Sequence, residues 1–446
     1  MTNRPRRALR RAGLNCALAL SIALALTSCG SSDGDGGGGD PADVKAALDK
    51  GGSIKVWAWE PTLKQVAKDF ENEHPGVKVE LVNAGTNKDE YTALQNAISA
   101  GSGVPDVAQI EYYALGQFTL TEAITDLSGF GAGKLRATYS PGPWNAVSSD
   151  GGIHALPMDS GPMALFYNKD VFDKHHIAVP RTWDAYADAA KKLHKADPDV
   201  YITSDTGDAG LTTSLIRQAG GRPYTADGTK VSIDFSDKGS TTYARTWQKL
   251  IDDKLLAPTV GWSDEWYKGL SEGRIATLPI GAWMPANLMS GAPKGKGSWR
   301  VAPLPQWKPG ASVSAENGGS ALAIPEKSGN KALAYAFVEY ANAGAGVKTR
   351  VDDGAFPATR STLTSKEFLN REYDYFGGQK ANTIFAKSAA DVPGDWSYLP
   401  FQVYANSIFN DSVGKAYTSH TPLAKGLSKW QEASVKYGKE QGFTIE

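Results

Sequence analysis

Ser53-Ile54-Lys55-Val56-Trp57-Ala58-Trp59 is followed by Pro61, by Leu63, Val66, Ala67 and Phe70, by Pro75-Gly76, and then by Val77, Val79 and Leu81. The first seven residues are rich in β-branched and aromatic side chains and read as a strand. The next apolar set falls at i, i+3, i+4 and i+7, one face of a helix, with Pro61 suited to its first turn and Pro75-Gly76 to its end. Val77, Val79 and Leu81 alternate as a half-buried strand does. A second helix carries Tyr91, Leu94 and Ile98 on one face and closes at Gly101, and Asp106 to Ile110 is a further apolar strand. The β-α-β-α-β order predicts an α/β fold built on a largely parallel sheet with helices on both faces.

The alternation resumes downstream. Met163 to Tyr167 reads as a strand, and Thr182 can cap a helix whose apolar face is Trp183, Tyr186, Ala187, Ala190 and Leu193. Arg274 to Ile280 and Ser320 to Ile324 read as strands, the latter followed by a helix with Leu333, Ala336, Phe337 and Tyr340. From Ala381 the chain reads as mostly helical. Two α/β units are too long together for one sheet and imply two lobes. No Pro/Ser-rich linker divides them, so the chain is expected to cross between lobes more than once.

The start of the chain carries a different signal. Arg4, Arg6, Arg7, Arg10 and Arg11 precede an apolar run from Leu14 to Leu26, too short for a comfortable membrane span and suited to an export signal. Leu26-Thr27-Ser28-Cys29 resembles a lipobox, in which cleavage precedes the cysteine and its sulfur is lipidated. Gly30 to Asp40 holds little but Gly, Ser and Asp and reads as a flexible tether, with a short frayed helix over 43–50. The expected location is the outer face of the cell membrane.

Composition narrows the field. Of 446 residues, 41% are hydrophobic, enough for substantial cores. The only cysteines are Cys16 and Cys29, so the exported part has no thiol pair for a disulfide, metal or redox site. Removing the five leader arginines leaves 42 basic against 48 acidic residues, a balance of −6. With no basic patch interleaved with aromatics, nucleic acid is not an expected partner. Several of the twelve tryptophans stand in loop-like contexts, namely Trp59, Trp144, Trp262, Trp283, Trp307 and Trp396. Aromatics lining a cleft or exposed to water usually serve a ligand.

Motifs for chemistry are weak. Gly269-Leu270-Ser271-Glu272-Gly273 spells a nucleophile elbow, but helix precedes and strand follows, the reverse of what an elbow needs, and His420 is the only histidine downstream. His175-His176 are adjacent and diverge, and Gly129, Gly131 and Gly133 lack the strand and Lys-Ser of a phosphate loop. Asp205 and Asp208 in Ser204-Asp-Thr-Gly-Asp-Ala-Gly210 suit a solvated turn better than a Ca²⁺ loop. No cofactor and no catalytic residue is assigned.

Ligands of open α/β sheets bind beyond the carboxyl ends of the strands. There the sequence delivers Trp59-Glu60, Glu111-Tyr112-Tyr113 and Gly281-Ala282-Trp283, an aromatic beside a carboxylate in the first two. An indole face packs on the C–H face of a pyranose, and a carboxylate accepts hydroxyl hydrogens. Paired carboxylates also suit a secreted glycoside hydrolase, and that alternative stays open.

Pro105-Asp106-Val107, Ala155-Leu156-Pro157, the run Tyr167-Asn168-Lys169-Asp170 followed by Val179-Pro180-Arg181-Thr182-Trp183, Gly273-Arg274-Ile275-Ala276, Gly281-Ala282-Trp283, Gly318-Gly319-Ser320 and Phe356-Pro357-Ala358 occur in that order. This ordered set resembles the extracellular solute-binding proteins of bacterial ABC sugar importers, the maltose-binding-protein class (solute-binding family 1). The resemblance implies a two-lobe periplasmic-binding-protein fold of type II with a cleft between lobes and a hinge of several crossings. It implies a non-enzymatic, monomeric, lipid-anchored protein that captures a mono- or oligosaccharide by lobe closure and delivers it to a membrane permease. The division expected is 1–28 signal peptide of lipoprotein type, 29–50 lipid-anchored flexible tether, 53–158 plus 321–372 N-terminal lobe, and 163–317 plus 375–446 C-terminal lobe. Ligand contacts are expected from Trp59, Glu60, Glu111, Tyr112, Asp159, Trp262, Trp283, Gly318, Gly319, Phe356, Trp396 and Tyr404, with lipid attachment at Cys29 and no metal.

Overall fold

The computed structural model describes residues 39–149, 151–394, 398–419 and 421–446. The expected export signal, Cys29, the part of the expected tether up to residue 38, Trp396 and His420 lie outside the described residues.

The first lobe is built on a five-stranded sheet in the order Val77–Val82, Gly52–Trp57, Val107–Glu111, Ser320–Ala323, Leu156–Pro157. The first three strands are parallel, as the β-α-β-α-β pattern requires. The helix Leu63–Glu73 buries the predicted stripe of Leu63, Val66, Ala67 and Phe70 against this sheet and ends at His74, just before Pro75-Gly76. The helix Lys88–Ala100 turns Tyr91 and Leu94 inward and closes on Gly101 in the left-handed conformation. Ser320–Ala323 arrives from the other lobe and inserts antiparallel to Val107–Glu111, with Ser320 opposite Glu111.

The second lobe departs from the parallel expectation. Its central strand Met163–Asn168 pairs antiparallel with both Thr277–Gly281 and Trp299–Pro303. The reason is the path of the chain: Met163 starts at the crossing and runs outward, and both partners run back toward it, Gly281 ending beside Met163 and Pro303 beside Ala164. Parallel pairing survives only in short pieces, such as Thr203–Ser204 with Leu256–Ala257. Thr182 caps the helix Trp183–Ala196 through Ala185 N, and its predicted apolar face is buried around Trp247 and Trp430. Past Ala381 the described residues are mostly helical, and the long helix Leu423–Glu440 is followed by the short strand Thr444–Ile445, which pairs with Lys230–Ile233.

Two boundaries differ from the sequence reading. Residues 41–50, expected within a flexible tether, form the helix Pro41–Lys50. Asp40 accepts from Ala42 N at 2.8 Å, Asp43 accepts from Asp40 N at 3.2 Å, and Val44, Ala47 and Leu48 rest on the core of the first lobe. A capped, amphipathic turn with an apolar surface to lie on is ordered where a free one frays. The segment 346–372, assigned to the first lobe, divides between both. Ala358 packs in the first-lobe core, while Phe356, Leu363 and Phe368 pack with Phe166, Leu278 and Phe385 of the second. Trp144 is a core residue buried beside Tyr139, and Trp307 is partly buried, tilted against the core residue Trp183 at 5.4 Å. Among the described residues no helix is long and apolar enough to cross a membrane.

Candidate ligand-binding cleft

Strand ends meet where the lobes face each other. Gly52–Trp57 runs out into Trp59-Glu60, Val107–Glu111 ends on Glu111, Thr203–Ser204 runs into Asp205, and Thr277–Gly281 into Trp283. These residues line one cleft of about 1220 Å³.

On the first-lobe wall, Gln109 holds the Trp59-Glu60 turn by accepting from both backbone N–H groups at 3.1 and 3.0 Å. Its amide donates to Ser320 Oγ at 3.1 Å, and Asp159 Oδ1 in turn accepts from Ser320 N at 2.6 Å. Asp159 thus ties the strand entering from the other lobe to this wall. Glu111 accepts from Tyr91 OH at 3.0 Å. Burial pushes its carboxyl up to about 7, against hydrogen bonds from Tyr91 and Tyr113 that favour the charged form. Burial likewise raises Asp159 to about 6, opposed by the buried Arg350 guanidinium.

On the second-lobe wall, Trp283 is half-buried and its Nε1–H donates to the Asn317 carbonyl at 2.7 Å. Trp262 stacks on it at 5.7 Å between ring centroids and 29° between planes. Asp208 caps the helix Ala209–Gln218 by accepting from Leu211 N at 2.7 Å, so that the helix N-terminus opens on the cleft. Asp205 is buried, accepting from Trp247 Nε1 at 2.7 Å and Tyr417 OH at 2.8 Å, and burial lifts it to about 6. Among the described lining residues there are six carboxylates, Glu60, Glu111, Asp159, Asp205, Asp208 and Asp411, and the single cation is Lys415. A ligand rich in hydroxyl donors fits such walls, and an anionic one meets like charge.

The lobes join at crossings that pass beneath the cleft. Gly161 N donates to Glu316 Oε2 at 2.8 Å, and Asn317 N donates to Gly161 O at 2.8 Å. Ser214 Oγ donates to Glu316 O at 2.6 Å, fastening this crossing to the second lobe. Gly318 and Gly319 follow at φ +76° and +98°, conformations that favour glycine.

The structure brings Trp59, Glu60, Glu111, Asp159, Trp262, Trp283, Gly318, Gly319 and Phe356 to the cleft. Two expected contacts it does not. Tyr112 points below the floor, buried, with its hydroxyl donating to Asp159 O at 2.6 Å, because the residue after Glu111 already starts the helix Tyr112–Thr119 and turns inward. Tyr404 lies outside the lining and stacks on Tyr437 at 3.5 Å, on the face of the short helix Gln402–Ser407 turned away from the cleft. Tyr113, delivered by the strand-end pattern, lines the cleft, whereas sequence reading missed the Asp205–Asp208 loop, which it reads as a solvated turn, and also Asn287, Asn317 and Lys415. An Asp directly before an apolar helical run is a cap signal that would have placed Asp208 at a helix N-terminus. The nucleophile-elbow spelling is a helix end, Ser271 lying in the last turn of Asp264–Glu272.

The raised carboxyls have a consequence for stability. Glu316 is also lifted by burial, to about 7. Between the ordinary carboxylate range and pH 6–7 the folded protein holds protons that the unfolded chain has released, so stability falls as pH rises through that window. The ligand-free protein is expected to melt at a lower temperature at pH 8 than at pH 5. A flat or rising profile across that range would show these carboxyls to be charged in the fold.

Two lobes on separate sheets, crossings between them and a polar, aromatic cleft at the strand ends define a two-lobe periplasmic binding protein. Residues 58–346 match the family model of bacterial extracellular solute-binding proteins, and the chain belongs to that family. It is 48% identical to the ABC transporter associated binding protein from B. animalis subsp. lactis Bl-04, solved in complex with beta-1,6-galactobiose, with a TM-score of 0.84 over 88% of this chain and 99% of that one. A galacto-N-biose-/lacto-N-biose I-binding protein of an ABC transporter from Bifidobacterium longum, solved with lacto-N-biose, superposes with a TM-score of 0.79 at 25% identity, covering 89% and 99% of the two chains. The arabinooligosaccharide-binding protein of Bacillus subtilis (strain 168) is 26% identical over 76% of this chain and 81% of its own length. These relatives are binding proteins, and they lend the hydrolase reading no support.

Proposed function

We propose that this protein captures an uncharged oligosaccharide in the cleft, closes its lobes around it and presents it to an ABC-type permease, without altering it chemically. The observation that carries this is a single inter-lobe cleft lined by the aromatic side chains Trp59, Trp262 and Trp283 together with six carboxylates. Each lobe holds part of the shell, so a ligand that contacts both shifts the population toward the closed form. The sugar complexes of the two bifidobacterial relatives support a saccharide as ligand, and the β-1,6-galactobiose bound by the first is the natural initial probe. A melting-temperature screen against a panel of neutral, acidic and amino disaccharides tests the reading, because a ligand raises stability by RT ln(1 + [L]/Kd). A rise with neutral sugars only is expected; no rise with any saccharide would defeat the proposal, and cleavage products in the same incubations would defeat its non-enzymatic part.

The ligand-binding assignments within the cleft, the two-lobe boundaries and the anchor belong to the same reading. The basic start, the apolar run and Leu26-Thr27-Ser28-Cys29 support lipid attachment at Cys29 and residence at the outer face of the membrane. Cys29→Ser is expected to leave the membrane fraction for the soluble one with sugar binding intact. A variant that still sediments with membranes after a salt wash would remove the anchor from the proposal.

A further inference from the structure

Arg350 is 2% exposed and lies behind the cleft wall rather than on it. It sits on the helix Gly346–Asp352, which packs on Leu63–Glu73 and Lys331–Asn342 of the first lobe while its Val347 and Val351 join the second-lobe core. Its Nη1 donates to Met158 O at 2.7 Å and to Asn342 Oδ1 at 3.4 Å. Nε and Nη2 are buried and have no partner among the described residues. A buried cation with donors unpaired is costly, and an apolar side chain of similar volume often serves packing as well or better. Packing alone therefore does not account for an arginine here.

The guanidinium is fastened to the crossing that leads from Met158 to Pro162. Met158 O directly precedes Asp159, so the positive charge is held against the residue that ties Ser320 to the first-lobe wall and lines the cleft. Both bonds from Ser320, at 2.6 and 3.2 Å, land on Oδ1 of Asp159 and leave its other oxygen uncommitted to that strand. The groups facing this place from the surrounding elements are acidic or hydroxylic. Glu60 comes from the turn after Gly52–Trp57, Glu111 from the end of Val107–Glu111 and Glu316 from the other crossing, while Tyr112 and Tyr139 contribute phenols. Within this group Arg350 is the cation. Without it, Asp159 faces only like charge, which disfavours its ionised form.

We infer that Arg350 is a positioning residue that acts through Asp159: from behind the wall it keeps that carboxylate charged, and so keeps it an acceptor for the ligand's hydroxyl groups at neutral pH. The consequence for binding rests on the carbohydrate reading above, whereas the charge link between Arg350 and Asp159 does not.

Melting curves of the ligand-free protein from pH 5 to pH 8 test the link in the wild type, Arg350→Met and Arg350→Lys, and in Arg350→Met on an Asp159→Asn background. With the cation gone, the folded state holds the Asp159 proton more tightly, and the stability this proton contributes is lost as pH rises. Arg350→Met is therefore expected to lose more melting temperature at pH 8 than at pH 5. Arg350→Lys should recover most of that difference, and the Asp159→Asn background should remove most of it. If Arg350→Met does not fold at pH 8, it is expected to fold at pH 5 or on the Asp159→Asn background. An equal loss at both pH values, a difference that survives Asp159→Asn in full, or a chain that folds under none of these conditions overturns the inference.

Calorimetric titration with β-1,6-galactobiose extends the test to the cleft. Wild-type affinity is expected to hold down to about pH 6, where Asp159 takes up its proton. In Arg350→Met the fall should begin about one pH unit or more higher. A loss of the same size at every pH is what a merely structural role gives, and it overturns the inference. A wild type that binds no saccharide while the melting pattern holds defeats the carbohydrate reading and leaves the hold of Arg350 on Asp159 standing.

Discussion

Trp283→Ala is expected to weaken disaccharide binding by roughly ten- to several-hundredfold, the range of a central aromatic anchor at an interface. The side chain lines the cleft, and one edge of its indole is seated against the crossing strand through the 2.7 Å bond to Asn317 O. A fully buried tryptophan truncated to alanine costs about 3–5 kcal/mol of stability. Trp283 is only half-buried, so its stability cost should fall below that range and the binding loss should dominate. Trp283→Phe separates two roles, keeping a stacking face while removing the Nε1–H that grips Asn317. If Trp283→Ala collapses the melting temperature but the folded fraction binds sugar as the wild type does, the residue belongs to the core and the site assignment falls with it.

Gly161→Ala should strike the hinge itself. A Cβ at Gly161 would stand 2.1 Å from Asn317 O and 2.8 Å from its carbonyl carbon, both backbone atoms of the neighbouring crossing. Neither strand can yield by a rotamer change, so the crossings must separate, and Asn317 O is also the acceptor that seats Trp283. Overpacking a tight contact typically costs about 1–3 kcal/mol, and here the stability loss should come with a loss of sugar affinity. Melting curves and titrations on the one variant check both effects. A melting temperature and an affinity indistinguishable from wild type would mean that the crossings are far looser than their hydrogen bonds indicate.

Much of the first lobe was legible in the chain. Leu63, Val66, Ala67 and Phe70 form a stripe only if the segment is helical, and alternating Val77, Val79 and Leu81 only if it is extended, so periodicity fixed those elements within a few residues. The strand-end rule then pointed to Trp59, Glu60, Glu111 and Trp283, which do converge on the cleft. It misplaced Tyr112 because a one-residue step from strand into helix reverses which side chain faces the ligand. The family resemblance, not the strand-end rule, put Tyr404 at the ligand, and an aromatic on a short helix carries no signal for which neighbour it faces.

Local chemistry therefore settled the types of the first lobe's elements, the parallel direction of its opening strands and the family, since each depends on residues close together in sequence or on ordered motifs. Direction in the second sheet was decided by the return path to the crossing. The partition of residues 346–372 between two cores was decided by which apolar surface each side chain reached. The Asp205–Asp208 loop reads as a solvated turn until Trp247 and Tyr417, 42 and 212 residues away from Asp205, donate hydrogen bonds to its buried carboxylate and hold the loop at the cleft. Contacts of such sequence separation leave no periodic trace in the chain. They exist only once packing has brought their partners within hydrogen-bonding distance.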